Sequence, residues 1–238
     1  GMRERFDIAQ VFGMHNMPGL PVGQFAIRPG PIMAATSEFT IKINGKGGHA
    51  AMPHGTVDPI VITSQIVLAL QTIVSRSTDP VDSLVVSVTK FHAGDAYNII
   101  PEHAEIAGTV RCFSPEVRTK IRERLENICT HIAASYRCEA VCDYTFGIPP
   151  VVNDPEETEL LAEAAHDVLG QEKVIRLANP MMGSEDFAYF LQKVPRGTIF
   201  RLGVAGDAPV SLHNPGFNFP DEALPVGVAV FVSYIMEK

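Results

Sequence analysis

The stretch Gly48-His49-Ala50-Ala51-Met52-Pro53-His54 lies between a strand-like run and a long apolar helix, and the fold can be traced outward from it. Gly45, Gly47 and Gly48 can take backbone angles that are closed to other residues, so a tight turn is predicted here. Asp58 and Pro59 then form the cap and the first position of a helix. A histidine held on such a turn can donate a hydrogen bond to a developing negative charge. The alternative for His49 is an ordinary solvated loop histidine.

Residue spacing on both sides of this turn predicts a compact module over residues 36–147. Phe39, Ile41 and Ile43 alternate with polar residues, as in a half-buried strand. Apolar residues recur at the helical period in two other segments. The predicted order is strand, helix, strand, strand, helix, strand, with helices at 59–74 and 114–136 and later strands at 84–91, 105–113 and 139–146. This order is typical of the ferredoxin-like unit, with two helices on one face of a four-stranded antiparallel sheet.

The two flanks, residues 1–35 and 148–238, each resemble an incomplete α/β domain. The first flank holds short strand-like runs at 9–13 and 24–28. The second holds a helix capped by Asp154 and stopped by Gly170, a strand at 198–204 and a closing helix from Leu224. The simplest topology is therefore an α/β domain, built from both flanks, that the inner module interrupts.

Composition restricts the classes of function. The chain has 238 residues and a formal net charge of -8, with no run of lysine or arginine. This argues against nucleic acid and against an anionic membrane surface as partners. We expect no signal peptide and no apolar run long enough to span a bilayer. None of the four cysteines forms a CxxC pair, and we interpret them as reduced, mostly buried thiols of a cytoplasmic protein.

His15 and His213 are the candidate metal ligands. Each is predicted to lie in a proline- and glycine-rich loop after a strand, one in each flank, so folding could bring them together. Two neutral imidazoles suit Zn, Mn, Co or Ni. The alternative is two unrelated loop histidines.

Asn98 and Arg111 are the candidate substrate-binding residues, predicted to bracket one end of a strand. The Arg111 guanidinium could take a carboxylate with two parallel hydrogen bonds, or could form a surface salt bridge. Glu185 and Asp186 could act as a general base with a ligand, but we favour the acidic first turn of a helix that Ser184 caps.

Five motifs occur in one order along the whole chain. They are Gly13-Met14-His15-Asn16-Met17-Pro18-Gly19-Leu20-Pro21-Val22-Gly23, Gly47-Gly48-His49-Ala50-Ala51-Met52-Pro53, Asn98-Ile99-Ile100-Pro101, Gly183-Ser184-Glu185-Asp186-Phe187 and Leu212-His213-Asn214-Pro215. Together they resemble the dinuclear metal amidohydrolases that include hippurate hydrolase, N-acyl-amino-acid amidohydrolases and the plant auxin-conjugate hydrolases.

The resemblance implies hydrolysis of the amide bond of small N-acyl or N-aroyl amino acids at a site with two divalent metal ions. His15 and His213 would be metal ligands, and Asn98 and Arg111 would bind the substrate, with Arg111 taking its carboxylate. The inner module would be a lid and dimerisation domain of a homodimer. His49 would reach the partner subunit's site and stabilise the oxyanion of the tetrahedral intermediate.

This sequence also lacks part of the pattern of the family that it resembles. The family's first half carries a cysteine-histidine motif and an acidic pair, which supply further metal ligands and the general base. Nothing before His15 in this sequence matches them. We therefore expect a C-terminal part of an amidohydrolase whose metal site is incomplete and which is inactive alone. The alternative is a non-catalytic remnant that dimerises or binds a ligand.

Overall fold

The computed structural model describes residues 1, 5–205 and 210–237, which form two compact units. The flanking unit comprises Gly1–Met33, Val151–Met181 and Glu185–Lys238, and the inserted unit comprises Ala34–Pro150 and Met182–Ser184. The strands are β1 (Val11–Pro18), β2 (Phe25–Ile27), β3 (Gly30–Met33), β4 (Ala35–Asn44), β5 (Gly48–His49), β6 (Leu84–Ala93), β7 (Ile99–Ile100), β8 (His103–Cys112), β9 (Glu139–Phe146), β10 (Val151–Asn153), β11 (Val174–Arg176) and β12 (Gly197–Ala205). The α-helices are α1 (Pro59–Ser77), α2 (Pro115–Ser135), α3 (Pro155–Leu169), α4 (Ala188–Lys193) and α5 (Leu224–Met236).

The inserted unit has the predicted order of strands and helices. Its four long strands form an antiparallel sheet in the order β6-β8-β4-β9. Helices α1 and α2 pack on one face, and their apolar stripes meet alternate residues of the sheet in a single core. The central members of that core, all buried, are Phe39, Ile41, Ile43, Ile62, Ile66, Leu70, Ile73, Ile106, Leu125 and Cys129. The periodicity of the sequence decides this arrangement, because only one register buries every apolar residue.

Helix α1 corrects one expectation from the sequence. With 19 residues and an apolar composition, it is long and apolar enough to cross a membrane by these two criteria. The expectation that no run is long enough was therefore wrong. The helix packs against the sheet through Ile62, Ile66, Leu70 and Ile73, which is how a core helix of a folded domain behaves.

The flanking unit is built on a mixed sheet in the order β1-β12-β2-β11. Strand β1 runs parallel to β12, β2 runs antiparallel to β12, and β11 runs parallel to β2. Every residue of β12 from Gly197 to Val204 is buried, as expected for a strand covered on both faces. Helices α3 and α5 cover one face, where Phe200, Leu202 and Val204 point. Ile199 and Arg201 lie on the opposite face.

The predicted caps Asp58 and Asp154 are confirmed, and Ser114 caps the helix that was predicted to begin at residue 114. The side chain of Asp58 accepts a hydrogen bond from Ile60 N at 2.9 Å, that of Ser114 from Val117 N at 3.2 Å, and that of Asp154 from Glu157 N at 2.9 Å. Gly170 ends α3 with a φ of 87°, a conformation that favours glycine. These local signals fix where the helices begin and end.

Candidate active site

His15 lies inside strand β1, so the prediction of a loop after a strand was wrong for this residue. The strand was expected to stop at Gly13, but its pairing with β12 continues through Met17, and His15 lies opposite Arg201. Gly13 does not end the strand, because β12 extends to Ala205 and its backbone pairs with the residues after Gly13. The imidazole is half-buried on the face of the sheet that also carries Arg201.

The ring of His15 is oriented from both sides. Nδ1 is 2.7 Å from the carbonyl oxygen of Asn16, which can only accept, so Nδ1 carries a proton and donates it. Nε2 is 3.4 Å from Oε2 of Glu185. With Nδ1 as the donor, Nε2 of the neutral ring and the carboxylate oxygen are two acceptors that face each other, an arrangement that one cation can bridge. A backbone bond to Nδ1 that leaves Nε2 for an ion is a common arrangement of metal-binding histidines.

Glu185 therefore has a different role from the one favoured on sequence grounds. Helix α4 begins at Ala188, its N-terminal cap is Phe187, and its first turn holds no acidic residue. The prediction that Ser184 caps this helix was wrong, because the chain makes a further turn before the helix begins. Glu185 instead accepts a long hydrogen bond from Phe187 N through Oε1 and directs Oε2 at His15.

His213 lies in the predicted loop and is exposed, with a φ of 65°. This left-handed conformation is unfavourable for a residue with a side chain, and such strain is concentrated at functional positions. The turn is fixed by Asn214, whose side-chain oxygen accepts from Gly216 N at 2.8 Å.

The donor set fits a divalent ion only in part. A histidine nitrogen and a carboxylate, as in His15 and Glu185, are ordinary ligands of zinc and manganese. Within residues 5–205 and 210–237, however, no three side chains of His, Cys, Asp or Glu come together as a metal would require. These residues do not by themselves fit the dinuclear centre that the resemblance implies.

His49 occupies β5, which pairs with β7 in a two-stranded ribbon of the inserted unit. The backbone N–H of Ala51 donates to its Nδ1 at 3.1 Å, so the neutral ring carries its proton on Nε2. The side chain is exposed, which leaves the Nε2–H available as a hydrogen-bond donor. This is the proton position that stabilisation of an oxyanion needs.

The glycines of this turn are needed because there is no room for a Cβ, and not because of their backbone angles. Gly45, Gly47 and Gly48 all have negative or extended φ values. The prediction that they supply backbone angles closed to other residues was therefore wrong. A Cβ on Gly45 would lie 2.3 Å from Val57 O, and one on Gly47 would lie 2.8 Å from Ile100 O. Two backbone segments approach too closely here for any side chain, and this contact closes the loop that carries His49.

Asn98 lies before β8 begins and Arg111 lies near the end of β8, which corrects the prediction that they bracket one end of a strand. Asn98 precedes β7 and its carbonyl oxygen accepts from Ala50 N at 3.0 Å, so it belongs to the ribbon of His49. Arg111 lies near the far end of β8, eight residues beyond His103, or about 26 Å along the strand. Its guanidinium donates to Ser184 Oγ at 2.6 Å, so it is held by a hydroxyl and not by a carboxylate.

Arg201 is a residue that the sequence analysis missed. Its side chain is 2% exposed, and its Nε has no hydrogen-bond partner among the described residues. Burial lowers the pKa of Arg201, and the nearby Glu185 carboxylate opposes that shift. The signal in the sequence was a single arginine within Thr198-Ile199-Phe200-Arg201-Leu202, an otherwise apolar strand.

Comparison with known proteins identifies the family. Residues 1–237 match the model of Peptidase family M20/M25/M40. The chain belongs to this peptidase family. Proteins similar to this chain include the IAA-amino acid hydrolase ILR1-like 2 of Arabidopsis thaliana, 39% identical over 98% of this chain and 54% of that protein. The N-acetyl-L-cysteine deacetylase of Bacillus subtilis is 40% identical over 91% of this chain and 51% of that protein.

Solved structures that resemble this chain have the same mixed α/β fold. An aminohydrolase from methicillin resistant Staphylococcus aureus superposes with a TM-score of 0.86 and 30% identity, over 96% of this chain and 59% of that structure. The YXEP protein of Bacillus subtilis, a dinuclear metal binding peptidase from the M20 family, superposes with a TM-score of 0.77 and 32% identity, over 95% of this chain and 56% of that structure. The chain thus spans about half the length of the relatives it matches.

Proposed function

We propose that this chain is part of a metal-dependent amidohydrolase that cleaves the amide bond of N-acyl or N-aroyl amino acids, as hippurate hydrolase does. The observation that carries the proposal is His15, whose Nδ1 is bonded to a backbone carbonyl while Nε2 faces a carboxylate. The names of the relatives support the substrate class, since they include an IAA-amino acid hydrolase and an N-acetyl-L-cysteine deacetylase.

In this proposal His15 and His213 bind the metal, and the remaining donors and the general base lie outside the described residues. A pair of divalent ions would polarise the amide carbonyl and activate water. The Nε2–H of His49 would donate to the carbonyl oxygen as negative charge develops on it. Arg111 would bind the carboxylate of the amino acid, and this contact would replace its hydrogen bond to Ser184.

We propose further that the active protein is a homodimer. The ribbon of His49 and Asn98 ends at Ile100, just before β8 begins at His103, whereas Arg111 lies near the other end of β8. The eight residues from His103 to Arg111 span about 26 Å. A small N-acyl amino acid cannot span that distance, so His49 and Arg111 of one chain cannot contact the same substrate molecule. A second copy can supply His49 and Asn98 to the site that contains the first copy's Arg111. The dimer would form through the inserted unit.

The test is a chimera in which this chain replaces the corresponding segment of the Bacillus subtilis YXEP protein. We expect hydrolysis of hippurate and of N-acetyl amino acids that requires added Zn²⁺ or Mn²⁺. His49→Ala should lower kcat by about 10²- to 10³-fold with little change in KM, as the loss of one oxyanion donor does. A chimera that unfolds cooperatively and holds metal yet hydrolyses none of these substrates would contradict the proposal.

A second function remains open because no three metal-binding side chains meet among the described residues. The chain could serve as a dimerising module that binds a carboxylate at Arg111 and catalyses nothing. The same chimera separates the two cases, since a binding module would give no turnover in the complete domain. A cytoplasmic location stays a prediction that agrees with four free cysteines.

A further inference from the structure

One arginine of the inserted unit occupies a position that its helix disfavours. Arg118 lies near the N-terminal end of α2, whose cap is Ser114. The N-terminal end of a helix carries a partial positive charge, so a cation there is unfavourable unless other groups compensate it. Arg118 is half-buried, and the acceptors around its guanidinium provide that compensation.

The guanidinium of Arg118 binds the two chain segments at which the inserted unit begins and ends. Nη2 donates to the carbonyl oxygens of Thr36 and Gly147, at 2.7 Å each. Nε donates to Ser37 Oγ at 3.1 Å, and the guanidinium carbon lies 4.9 Å from the centroid of the Phe146 ring. Strand β4 contains Thr36 and Ser37, and its partner β9 ends at Phe146. One side chain of α2 therefore fixes both strands at the point where they meet.

Thr36 is also the residue of β4 that lies opposite Arg111 of β8. The Thr36 N–H donates to Ile148 O at 2.9 Å, and the Thr36 carbonyl oxygen accepts from Gly147 N at 3.0 Å, so both groups point away from β8. Thr36 and Arg111 therefore form a non-hydrogen-bonded pair. In such a pair the Cα atoms are about 4.5 Å apart, and the two side chains leave the same face of the sheet side by side.

We propose that Arg118 is a positioning residue that fixes the place of Arg111 through Thr36. The proposal rests on the proposed function only for the claim that Arg111 binds the substrate carboxylate. Arg111 is then held at both ends, because Ser184 Oγ accepts from its guanidinium at 2.6 Å and Thr36 lies beside its stem. Without Arg118 the Thr36 carbonyl oxygen keeps one of its two donors, and the first residues of β4 open locally more often.

A small set of variants separates the donors of Arg118 from its bulk. Arg118→Met keeps an apolar stem that packs against the sheet and removes every donor, and Arg118→Gln is a second neutral variant. Arg118→Lys keeps a charged donor for the carbonyl oxygens without the planar fork. Arg124→Met is the matched control, because Arg124 is an exposed arginine of the same helix.

The decisive readout is the Nε–H signal of Arg111 in a ¹H–¹⁵N correlation spectrum of the full, metal-free chain. The chain is uniformly labelled with ¹⁵N, and the Arg111 signal is assigned by its loss in Arg111→Lys. We expect Arg118→Met and Arg118→Gln to shift or broaden this signal beyond the change in Arg124→Met. Arg118→Lys should return it toward the wild type. The backbone amide of Gly108, in the middle of β8, should stay in place in every variant.

A second comparison tests the route through Thr36. In a Thr36→Ala background, Arg118→Met should shift the Arg111 signal by less than half as much as in the wild type, because the side chain that transmits the change is shortened. A shift of half or more would mean that Arg118 acts on Arg111 by another route, and would overturn the proposal.

Two further outcomes overturn the proposal. Folded Arg118→Met or Arg118→Gln variants with a wild-type Arg111 signal would make Arg118 a purely structural residue. A shift of the Gly108 amide as large as that of Arg111 would mean that the whole sheet loosens. If neither neutral variant folds, Thr36→Ala alone decides, since an unchanged Arg111 signal in it would remove the link. The measurement uses neither metal nor substrate, so its failure is distinct from a failure of the proposed hydrolysis.

Discussion

Among single residues, the buried carboxylate of Glu157 shows how polar contacts fix the flanking unit. It is fully buried at the start of α3 and accepts from Arg196 Nε at 2.9 Å, from Gln10 Nε2 at 2.6 Å and from the hydroxyl of Tyr234 on α5. Burial and then this carboxylate raise the pKa of Tyr234 above its ordinary value. The Tyr234 hydroxyl keeps its proton to a higher pH in the folded chain than in the unfolded chain. The free energy of unfolding therefore depends on pH in the alkaline range.

The sign of that dependence can be tested with Tyr234→Phe. The folded chain keeps the Tyr234 proton where the unfolded chain releases it, so the contribution is complete below about pH 10 and is lost as the pH rises further. We expect Tyr234→Phe to lower the free energy of unfolding by about 1–3 kcal/mol at neutral pH, because Glu157 loses a donor. Its alkaline loss of stability should be shallower than that of the wild type. Urea unfolding between neutral pH and about pH 11 measures both effects.

Tyr189→Phe is the control, because Tyr189 is half-exposed on α4. It should leave the pH dependence unchanged. Equal alkaline slopes for the wild type and Tyr234→Phe would contradict the assignment.

Sequence motifs identified the candidate histidines but not the tautomers of their rings. His15 and His49 were recognised from their motifs, whereas the hydrogen bonds that place the proton on Nδ1 of His15 and on Nε2 of His49 depend on backbone atoms that a motif does not specify. Arg201 was missed because its burial against Met33 and beside His15 depends on strand pairing, which a motif does not specify. A charge in an apolar strand can be noticed in the sequence, but its neighbours require the fold.

Among the elements, the turn that carries His49 depends on close approach of two backbone segments. Lys46 and Val57 form a bridge across the loop, and Gly45 sits against it. We expect Gly45→Ala to lower the free energy of unfolding by about 1–3 kcal/mol, because its Cβ would meet the Val57 carbonyl oxygen and the backbone must shift. Thermal unfolding of the full chain provides the measurement.

Gly55→Ala in the same loop is the matched control. Nothing lies within 4 Å of a Cβ at Gly55, and its φ is not positive. The substitution should be neutral or should stabilise the chain by about 0.4–1 kcal/mol through the unfolded state. Equal destabilisation by both substitutions would show that the loop does not depend on the contact at Gly45.

Elements with regular periodicity were predictable, and those fixed by long-range pairing were not. The helices α1 and α2 and the strands of the inserted unit follow from apolar spacing and from the caps Asp58 and Ser114. Strand β1 was predicted too short because its second half has mixed polarity and is held by β12. The start of α4 was misplaced because Ser184 resembles a cap but bonds to Arg111.

For the whole molecule, the proposed homodimer makes a prediction about one surface of the inserted unit. Strand β6 is at an edge of the described sheet, and α1 packs beside it on β6 and β8. Val61 and Leu68 of α1 are 48% and 71% exposed, an apolar surface that a second copy could cover. We expect the wild type to be a dimer at micromolar concentration and Leu68→Glu to be a monomer, as measured by light scattering after gel filtration.

Val141→Glu is the control, because Val141 is 47% exposed on β9, at the opposite edge of the sheet from β6. It should leave the mass unchanged. A monodisperse wild-type monomer, or a Leu68→Glu variant with the wild-type mass, would count against dimerisation through this surface.

The central claim is that His15 is a metal ligand of a centre that the described residues do not complete. The most direct test is calorimetric binding of Zn²⁺ to the full chain, with His131→Gln as control because His131 also bonds Nδ1 to a backbone carbonyl at 2.7 Å. We predict weak binding that dialysis reverses, no hydrolysis of hippurate, and a loss of at least about tenfold in affinity, or about 1.4 kcal/mol, in His15→Gln only. Zn²⁺ retained through dialysis with turnover, or an affinity that His15→Gln leaves unchanged, would contradict the claim.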